Sequence, residues 1–389
     1  MGQNQEQHEA GADERDAQRA QKELTAFGAV HKPTDGRLVT GEKWWADRYE
    51  LLKEQGYLLR PRFSPGWVPS WENTNKHWLE CEDGQAYPFP HINDATRLSD
   101  GKFVTLKRIK KSVHPHEADI GLYFSSGPMA LEAANHCVPL DEVMSLGDGD
   151  DGDAIILVMP LLRSYTSPEF DTFGEVVECF RQLFEGLDFM HKHRVAHRDC
   201  MNRNIMFDAS QLYPKPFHPV IPDLKRDFSG FGKHYSRTER SPKYYFIDFG
   251  ISRRYDPSDP NPLEVPIWGG DKEVPEFQNS NDPCNPFPTD VFYIGNAIME
   301  DFINTKRGFQ FIEPLVSDMV QPDSTKRPTM EEVVARFDKI HRGLSRWKLR
   351  SRVVDKEETA LEKVTRTTSH WTRRIGFIAR RVPATRAPS

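Results

Sequence analysis

The 389-residue sequence has few cysteines, no long apolar run and no apolar segment at its start. Its five cysteines are odd in number and widely spaced without a C-x-x-C pair, so we expect reduced thiols rather than disulfides or a zinc site. The longest apolar run, residues 154–162, is too short to span a membrane. No cleavable signal segment is evident, and Glu6 stands where myristoylation requires Ser or Thr. These absences predict a cytoplasmic or nuclear protein without a transmembrane segment.

Two short motifs contain the residues that indicate what reaction the protein performs. Residues 197–204 read HRDCMNRN and residues 248–250 read DFG, and apolar, strand-like residues precede each motif. Phosphoryl transfer from ATP needs positioning and neutralisation of charge more than covalent help. In such a reaction Asp199 would orient the attacking hydroxyl, and Asn204 and Asp248 would hold Mg²⁺, because hard cations prefer oxygen ligands. The motifs therefore predict a phosphotransferase that uses ATP and Mg²⁺.

These motifs resemble those of eukaryotic-type protein kinases, whose catalytic loop H-R-D-x-x-x-x-N is followed by D-F-G. Four further segments resemble kinase signatures: residues 103–107 (FVTLK), 274–276 (VPE), 290–295 (DVFYIG) and 326–329 (KRPT). The resemblance implies an α+β, two-lobed protein-kinase-like fold with a small β-rich N-lobe and a larger α-helical C-lobe. It also implies that Glu276 pairs with Arg327, a pair that small-molecule kinases lack.

The resemblance also implies where the nucleotide binds. Lys107 ends a predicted strand and would clamp the α- and β-phosphates, with Glu117, at the start of a predicted short helix, as its partner. Glu132 is the alternative partner, and we favour Glu117. The side chains assigned to the nucleotide pocket are Ile92, Thr105, Met159, Leu162 and Met206.

The kinase-like part covers about residues 80–345. The predicted divisions are a disordered tail at 1–38, an ordered Trp- and Pro-rich extension at 39–79, an N-lobe at 80–160, a C-lobe at 163–345 with a surface insertion at 208–243, and a basic tail at 346–389. Within the C-lobe, apolar residues at helical spacing predict a helix over 172–192, and a capping box at 329–332 predicts the start of the last helix.

The C-terminal part of the chain is basic. Residues 342–389 contain 13 Lys or Arg and 4 Asp or Glu, a net charge of +9 in a chain whose total is −6. Residues 371–381 mix aromatic and basic side chains, as helices that bind membrane surfaces or acidic partners do. A tail that is solvated or folds back on the acidic remainder of the chain is the commoner arrangement.

Several positions depart from the kinase pattern. No G-x-G-x-x-G lies upstream of Lys107, so the close approach of backbone to phosphate must be achieved in another way. Met201 occupies the position of a lysine that contacts the γ-phosphate in serine/threonine kinases. The tyrosine-kinase catalytic loop carries an arginine four residues after the aspartate, and Arg203 resembles it. Arg203 is therefore predicted to supply the positive charge that Met201 lacks. Arg198 is expected to pair with an acid such as Asp271.

Two functions follow from this pattern. The first is an ATP-dependent protein kinase that transfers the γ-phosphate to a protein hydroxyl, with serine or threonine favoured over tyrosine. The alternative is a pseudokinase that acts as a nucleotide-binding or scaffold module. A monomer with a protein substrate and no nucleic-acid partner is expected. A narrower resemblance, to kinase-like proteins expanded in mushroom-forming fungi, rests on residues 60–63 (RPRF), 66–71 (GWVPSW), 196–201 (AHRDCM) and 244–250 (YYFIDFG).

Overall fold

The computed structural model describes residues 35–146, 152–266, 273–278 and 281–388. It is a mixed α+β structure, as predicted, and it divides into two compact units. The first unit contains the described residues up to Ala118, Pro139–Leu161 and Tyr213–Lys233. The second contains Asp119–Val138, Leu162–Leu212 and the described residues from His234 onward. Residues 1–34 of the predicted disordered tail, and Asp271, lie outside the described residues.

The first unit is built on a five-stranded antiparallel sheet in the order β1-β2-β3-β5-β4. The strands are Tyr57–Leu59 (β1), Ile92–Arg97 (β2), Phe103–Lys110 (β3), Glu142–Ser145 (β4) and Ala154–Pro160 (β5). Two short helices precede β1, at Thr40–Ala46 (α1) and Tyr49–Glu54 (α2). They pack Trp45 and Leu52 against the sheet beside Val104 and Leu106, which are buried on one face of β3. Alternation along β3 places Thr105 on the opposite face.

The first strand lies upstream of the predicted N-lobe. We expected the sheet to begin near residue 80, but β1 lies within the Trp- and Pro-rich segment and pairs with β2 through Leu59 and Ala95. The connection from β1 to β2 contains three turns of 3₁₀ helix: Pro61–Phe63, Trp78–Glu80 and Glu82–Gly84. The prolines that follow β1 hide this strand in the sequence, because proline signals turns rather than a strand ladder.

Buried ion pairs fix this connection to the rest of the first unit. Arg62 donates to Glu42 of α1 at 2.8 Å, and Arg60 donates to Asp94 of β2 at 3.0 Å. The side chains of Arg60, Arg62 and Asp94 are almost completely buried. Because a buried charge is costly without its partner, these pairs specify the path of the connection.

The second unit is mainly helical. The predicted helix over 172–192 is confirmed as Phe173–Lys192 (α4 below), which begins with a capping box between Thr172 and Glu175. The predicted capping box at Thr329 is also confirmed, at the start of Met330–Gly343 (α8 below). The helices from the third onward, of which α3 begins with two residues of the first unit, are Glu117–Ser125 (α3), Phe173–Lys192 (α4), Pro275–Gln278 (α5), Pro286–Ile298 (α6), Glu313–Met319 (α7), Met330–Gly343 (α8), Arg346–Leu349 (α9) and Ala360–Ala379 (α10).

Short strands complete the second unit. They are Arg163–Ser164 (β6), Val195–Ala196 (β7), Ile205–Phe207 (β8), Tyr244–Phe246 (β9), Arg253–Arg254 (β10), Lys306–Arg307 (β11) and Val354–Asp355 (β12). They form one three-stranded sheet, β6-β8-β9, and two ladders, β7-β10 and β11-β12. Across the described ranges, no helix is both long and apolar enough to cross a membrane.

The predicted insertion at 208–243 is divided between the two units. Its middle part, Tyr213–Lys233, belongs to the first unit, and its two ends belong to the second. Arg226 of the middle part is ion-paired with Asp94 of β2, and its guanidinium lies 3.9 Å from the ring of Phe103 on β3. The segment is therefore packed on the sheet rather than simply solvated at the surface.

Candidate functional site

Lys107 and Glu117 form a buried ion pair in the first unit. The Nζ atom of Lys107, on β3, lies 2.5 Å from Oε1 of Glu117, the first residue of α3. The two side chains are only 9% and 3% exposed. Glu132, the alternative partner in the sequence, is exposed at the end of a 3₁₀ turn. The structure thus brings Lys107 together with Glu117, the partner that we favoured.

Three of the predicted pocket residues share a sheet face with Lys107. The register pairs Ile92 with Lys107 and Thr105 with Met159, and directly paired residues project from the same face. Each of these three side chains is partly exposed. Asp94, which pairs with Thr105, projects from this face as well.

The other two pocket residues belong to the second unit. Leu162 is buried just before β6, and Met206 is the central residue of β8. Met206 pairs with Ser164 on one side and with Tyr245 on the other.

The HRDCMNRN motif lies between β7 and β8 and is fixed by Asp290 of α6. The backbone N–H groups of His197 and Arg198 each donate to the Asp290 carboxylate at 2.7 Å. Asp290 is completely buried, and Arg198 has a positive φ of 67°. Backbone strain of this kind persists only where the surroundings enforce it, and the two bonds to Asp290 do so.

Asp199 and Asn204 are joined by hydrogen bonds within this loop. Asn204 donates Nδ2 to the Asp199 carboxylate at 2.7 Å and to the Asp199 carbonyl at 2.9 Å. This arrangement leaves the amide oxygen of Asn204 as the atom that can bind a cation. The other carboxylate oxygen of Asp199, Oδ1, is buried and has no hydrogen-bond partner within the described residues.

The pKa of Asp199 is raised to about 7. Burial of the carboxylate is the main cause, and the negative charge of Asp248 adds to it. The hydrogen bond from Asn204 and the charge of Arg203 oppose this rise. Arg203 itself is exposed in the 3₁₀ turn Asn202–Asn204. A carboxyl group that titrates near neutrality can accept a proton and later release it.

Asp248 is held beside Asn204 by the backbone. The N–H of Ile247 donates to the carbonyl of Asn204 at 3.0 Å, and the N–H of Gly250 donates to the Asp248 carboxylate at 3.2 Å. Asp248 has a positive φ of 67°, which non-glycine residues seldom adopt. The strand ends that carry the two motifs are therefore adjacent.

Asn204 and Asp248 present oxygen ligands that suit Mg²⁺. No cluster of three or more His, Cys, Asp or Glu residues that could hold a metal occurs in the described part of the chain. A cation here would therefore need oxygen atoms of a phosphate ligand or water in addition. The residues fit Mg²⁺ held jointly by protein and nucleotide.

Phe249 packs towards the interior of the second unit. Its ring lies 5.5 Å from His197 and 6.4 Å from Phe124, and it is only 3% exposed. His197 lies 3.1 Å from the carbonyl of Ile247 through Nε2, and burial lowers the pKa of the ring, which favours its neutral form. These contacts hold the backbone on both sides of Asp248.

Arg198 contacts the segment that follows the DFG motif. Its guanidinium lies 3.2 Å from the Glu264 carboxylate and donates to the carbonyls of Ile251 and Val265. Of the two serines that the sequence offers between 250 and 274, Ser252 is completely buried and Ser258 is exposed. In the described structure Glu264, an acid of this segment, therefore neutralises the charge of Arg198.

Glu276 and Arg327 form the two-pronged pair that the resemblance implied. Arg327 donates to the two carboxylate oxygens of Glu276 at 2.6 and 2.7 Å. Thr289 of α6 adds a third hydrogen bond to the carboxylate at 3.0 Å. Burial raises the pKa of Glu276, but the hydrogen bonds and charge of Arg327 outweigh burial and lower this pKa below its ordinary value.

Sequence reasoning missed the role of Asp290 and the involvement of Arg226. Asp290 is an acid among mainly apolar residues in a helix that is almost entirely buried. Because acids are seldom fully buried without a partner, this pattern was the available signal of a structural role. Arg226 offered no signal, because its contacts with Asp94 and Phe103 depend on how a proline-rich segment folds back on the sheet.

Comparison with known proteins gives one partial similarity to a kinase. The serine/threonine-protein kinase CAK1 of Saccharomyces cerevisiae is 29% identical over 97 residues. That match covers 25% of this chain and 19% of CAK1, so the chain spans about a fifth of the length of that relative. No protein-family model matches the chain. About a quarter of the chain is therefore similar to a serine/threonine kinase.

Proposed function

We propose that this protein is an ATP-dependent protein kinase that uses Mg²⁺ and transfers the γ-phosphate to a hydroxyl of a protein substrate. One observation carries the proposal. The side chain of Asn204 donates a hydrogen bond to the Asp199 carboxylate, and its backbone carbonyl accepts one from the N–H of Ile247, the residue before Asp248. Two motifs that are far apart in the sequence therefore lie next to each other. The similarity to CAK1 supports the same class.

Each residue has a defined role in this proposal. Lys107, oriented by Glu117, binds the α- and β-phosphates through its ammonium group. Asp199 orients the substrate hydroxyl and accepts its proton while the new oxygen–phosphorus bond forms and the bond to ADP breaks. Asn204 and Asp248 would hold Mg²⁺, which when bound would supply positive charge to neutralise the phosphates. Serine or threonine is the favoured acceptor, and Arg203 would contact the transferred phosphate.

The test measures ATP binding and phosphate transfer separately. Thermal shift with MgATP reports binding, and transfer to a peptide library reports activity, for wild type, Asp199→Asn and the control Asp256→Asn. Asp256 is an exposed carboxylate of the same unit that accepts a hydrogen bond from Ser258. We expect Asp199→Asn to bind ATP but to lose at least about 10²-fold in transfer. Wild type at background in both assays would overturn the proposal.

A second function, the pseudokinase, is favoured by one observation on the first unit. Arg226 occupies the sheet face that carries Thr105 and Lys107, since it contacts Asp94 and Phe103 on that face. The connection from β1 to β2, which holds a glycine-rich loop in kinases, contains no G-x-G-x-x-G here. A segment packed at this position would compete with a nucleotide base.

The variant Arg226→Ala separates the two functions. A pseudokinase predicts that wild type transfers no phosphate, and that removing the guanidinium changes ATP binding but not transfer. A kinase predicts transfer by wild type that Asp199→Asn abolishes. The localisation in cytoplasm or nucleus and the narrower fungal resemblance stay predictions.

A further inference from the structure

The C-terminal helix α10 is docked on the second unit by one of its faces. His370, Arg374 and Phe377 on that face are 3%, 5% and 4% exposed. The Arg374 guanidinium lies 4.0 Å from the ring centre of Trp347 and 4.9 Å from that of Trp371. This face accounts for the attachment of the helix to the rest of the unit.

A second face of α10 is apolar and exposed. We call it the apolar stripe, and its residues follow one another at steps of three, seven, four and three: Leu361 (75% exposed), Val364 (64%), Trp371 (44%), Ile375 (63%) and Ile378 (52%). Thr368 occupies the position skipped by the step of seven. This is the a/d spacing that aligns apolar residues on one side of a helix for packing against another helix.

The exposed charges of α10 are directed away from the apolar stripe. Thr365, Thr372 and Ala379 border the stripe on one side, and Thr367 and Arg374 border it on the other. The Arg374 side chain is only 5% exposed and lies against Trp347 and Trp371. Helices that lie on anionic membranes usually carry exposed Lys or Arg beside the apolar face, so this border disfavours a membrane surface.

The arginines on the far side of α10 are already paired with acids of the same unit. The three pairs are Arg366 with Asp355, Arg373 with Asp171, and Arg380 with Glu239. Their positive charge is therefore neutralised by acids of the protein itself. This is the arrangement expected of a tail that folds back on the acidic remainder of the chain.

The area of the apolar stripe is close to that of a protein interface. Trp347, which is 67% exposed, extends the stripe because its ring centre lies 6.4 Å from that of Trp371. Together these six side chains expose roughly 600 Å² of apolar surface, whereas a standard interface buries about 800 Å² per partner. Because the bordering charge, Arg374, is only 5% exposed, a patch of this size can close against an identical patch with little like-charge repulsion.

We propose that the apolar stripe is the interface of a homodimer, in which α10 of one copy packs against α10 of a second copy around a two-fold axis. A two-fold interface uses the same surface on both partners, and a self-complementary a/d stripe meets this requirement. The proposal goes beyond the proposed kinase function and replaces the expectation of a monomer.

Mass measurement on the full chain tests the dimer. Sedimentation equilibrium would compare wild type, Ile375→Glu and the control Ser369→Glu from about 1 to 100 µM, the range in which such contacts associate. Ser369 is exposed on α10 but faces away from the stripe. We expect the mass of wild type and of Ser369→Glu to rise from 44.9 kDa towards twice that value, while Ile375→Glu stays at 44.9 kDa. A wild type that is monomeric throughout, or an Ile375→Glu variant that associates like wild type, would overturn the proposal.

Three further measurements make the outcome unambiguous. Thermal unfolding of Ile375→Glu should match that of wild type at low concentration, because the side chain is exposed. Fluorescence of Trp371 and Trp347 should shift to shorter wavelength as the dimer forms. Binding of monomeric wild type to vesicles of anionic lipid, with no association in solution, would assign the stripe to a membrane surface instead and would reject the dimer.

Discussion

At the scale of single residues, the protonation of Asp199 connects the stability of the site to its chemistry. Burial and the charge of Asp248 raise the pKa of Asp199 to about 7, whereas an unfolded chain has a pKa of about 3.9 for this group. The folded state therefore retains a proton that the unfolded state releases. Stability consequently falls as pH rises from about 4 to 7, by about 1.4 kcal/mol per unit, and this loss is complete above pH 7.

The variant Asp199→Asn removes this dependence. We expect the difference in Tm between Asp199→Asn and wild type to grow in favour of the variant from pH 4 to pH 8, because the amide carries no buried charge. The control Asp256→Asn replaces an exposed carboxylate and should show no such growth. A Tm difference that is constant across this range would contradict the raised pKa of Asp199.

The resemblance to kinase motifs identified the residues that bear chemical groups but not the acid that positions the HRD loop. It implied Lys107 with Glu117 as its partner, and the structure joins the two. Asp290 accepts hydrogen bonds from the backbone N–H groups of residues 197 and 198. A sequence motif is defined by its side chains, so it does not indicate such backbone hydrogen bonds. The sequence could therefore mark Asp290 as an unusual buried acid, but its two backbone partners became visible only in the folded chain.

At the scale of elements, the pair Glu276–Arg327 connects α5 to the segment before α8. The side chain of Arg327 is completely buried and that of Glu276 is 13% exposed. Removing either partner leaves the other charge buried, and we expect each single substitution to cost about 3–5 kcal/mol. Because the pKa of Glu276 is lowered in the folded state, this contribution is present above pH 4.5 and is lost as pH falls through that lowered value.

A double-mutant cycle with Glu276→Gln and Arg327→Met measures this coupling by urea unfolding. The exposed pair Arg336–Asp318, whose side chains are 42% and 46% exposed, is the control cycle. We expect a coupling of more than about 1 kcal/mol for the buried pair and about 0–1 kcal/mol for the exposed pair. Equal couplings in the two cycles would show that burial does not distinguish them.

Sequence patterns predicted the long elements well and the short ones poorly. The helix α4 and the start of α8 were found because apolar spacing and a capping box agree at these positions. The strand β1 was missed because its three residues are too few to show a period of two, and the prolines after it signal turns. Its place in the sheet depends on pairing with β2, a contact between distant residues.

At the scale of the whole molecule, the uneven distribution of charge is balanced by contacts within the second unit. The basic C-terminal part was open to four interpretations in the sequence, and the structure pairs several of its arginines with acids of the same unit. Exposed ion pairs contribute only about 0–1 kcal/mol each, and a buried Phe contributes about 3–5 kcal/mol. Phe377, which is 4% exposed, is therefore expected to hold α10 in place more firmly than the ion pairs do.

Hydrogen exchange of residues 360–379 measures this attachment. We expect Phe377→Ala to accelerate exchange throughout α10 by at least about 10-fold, since each 1.4 kcal/mol of lost docking energy is a factor of ten in the open population. Arg380→Ala, which removes an exposed pair with Glu239, should change exchange by less than about fivefold, and added NaCl should have a similarly small effect. If salt released the helix and Phe377→Ala did not, charge rather than apolar burial would fix α10 to the acidic part of the chain.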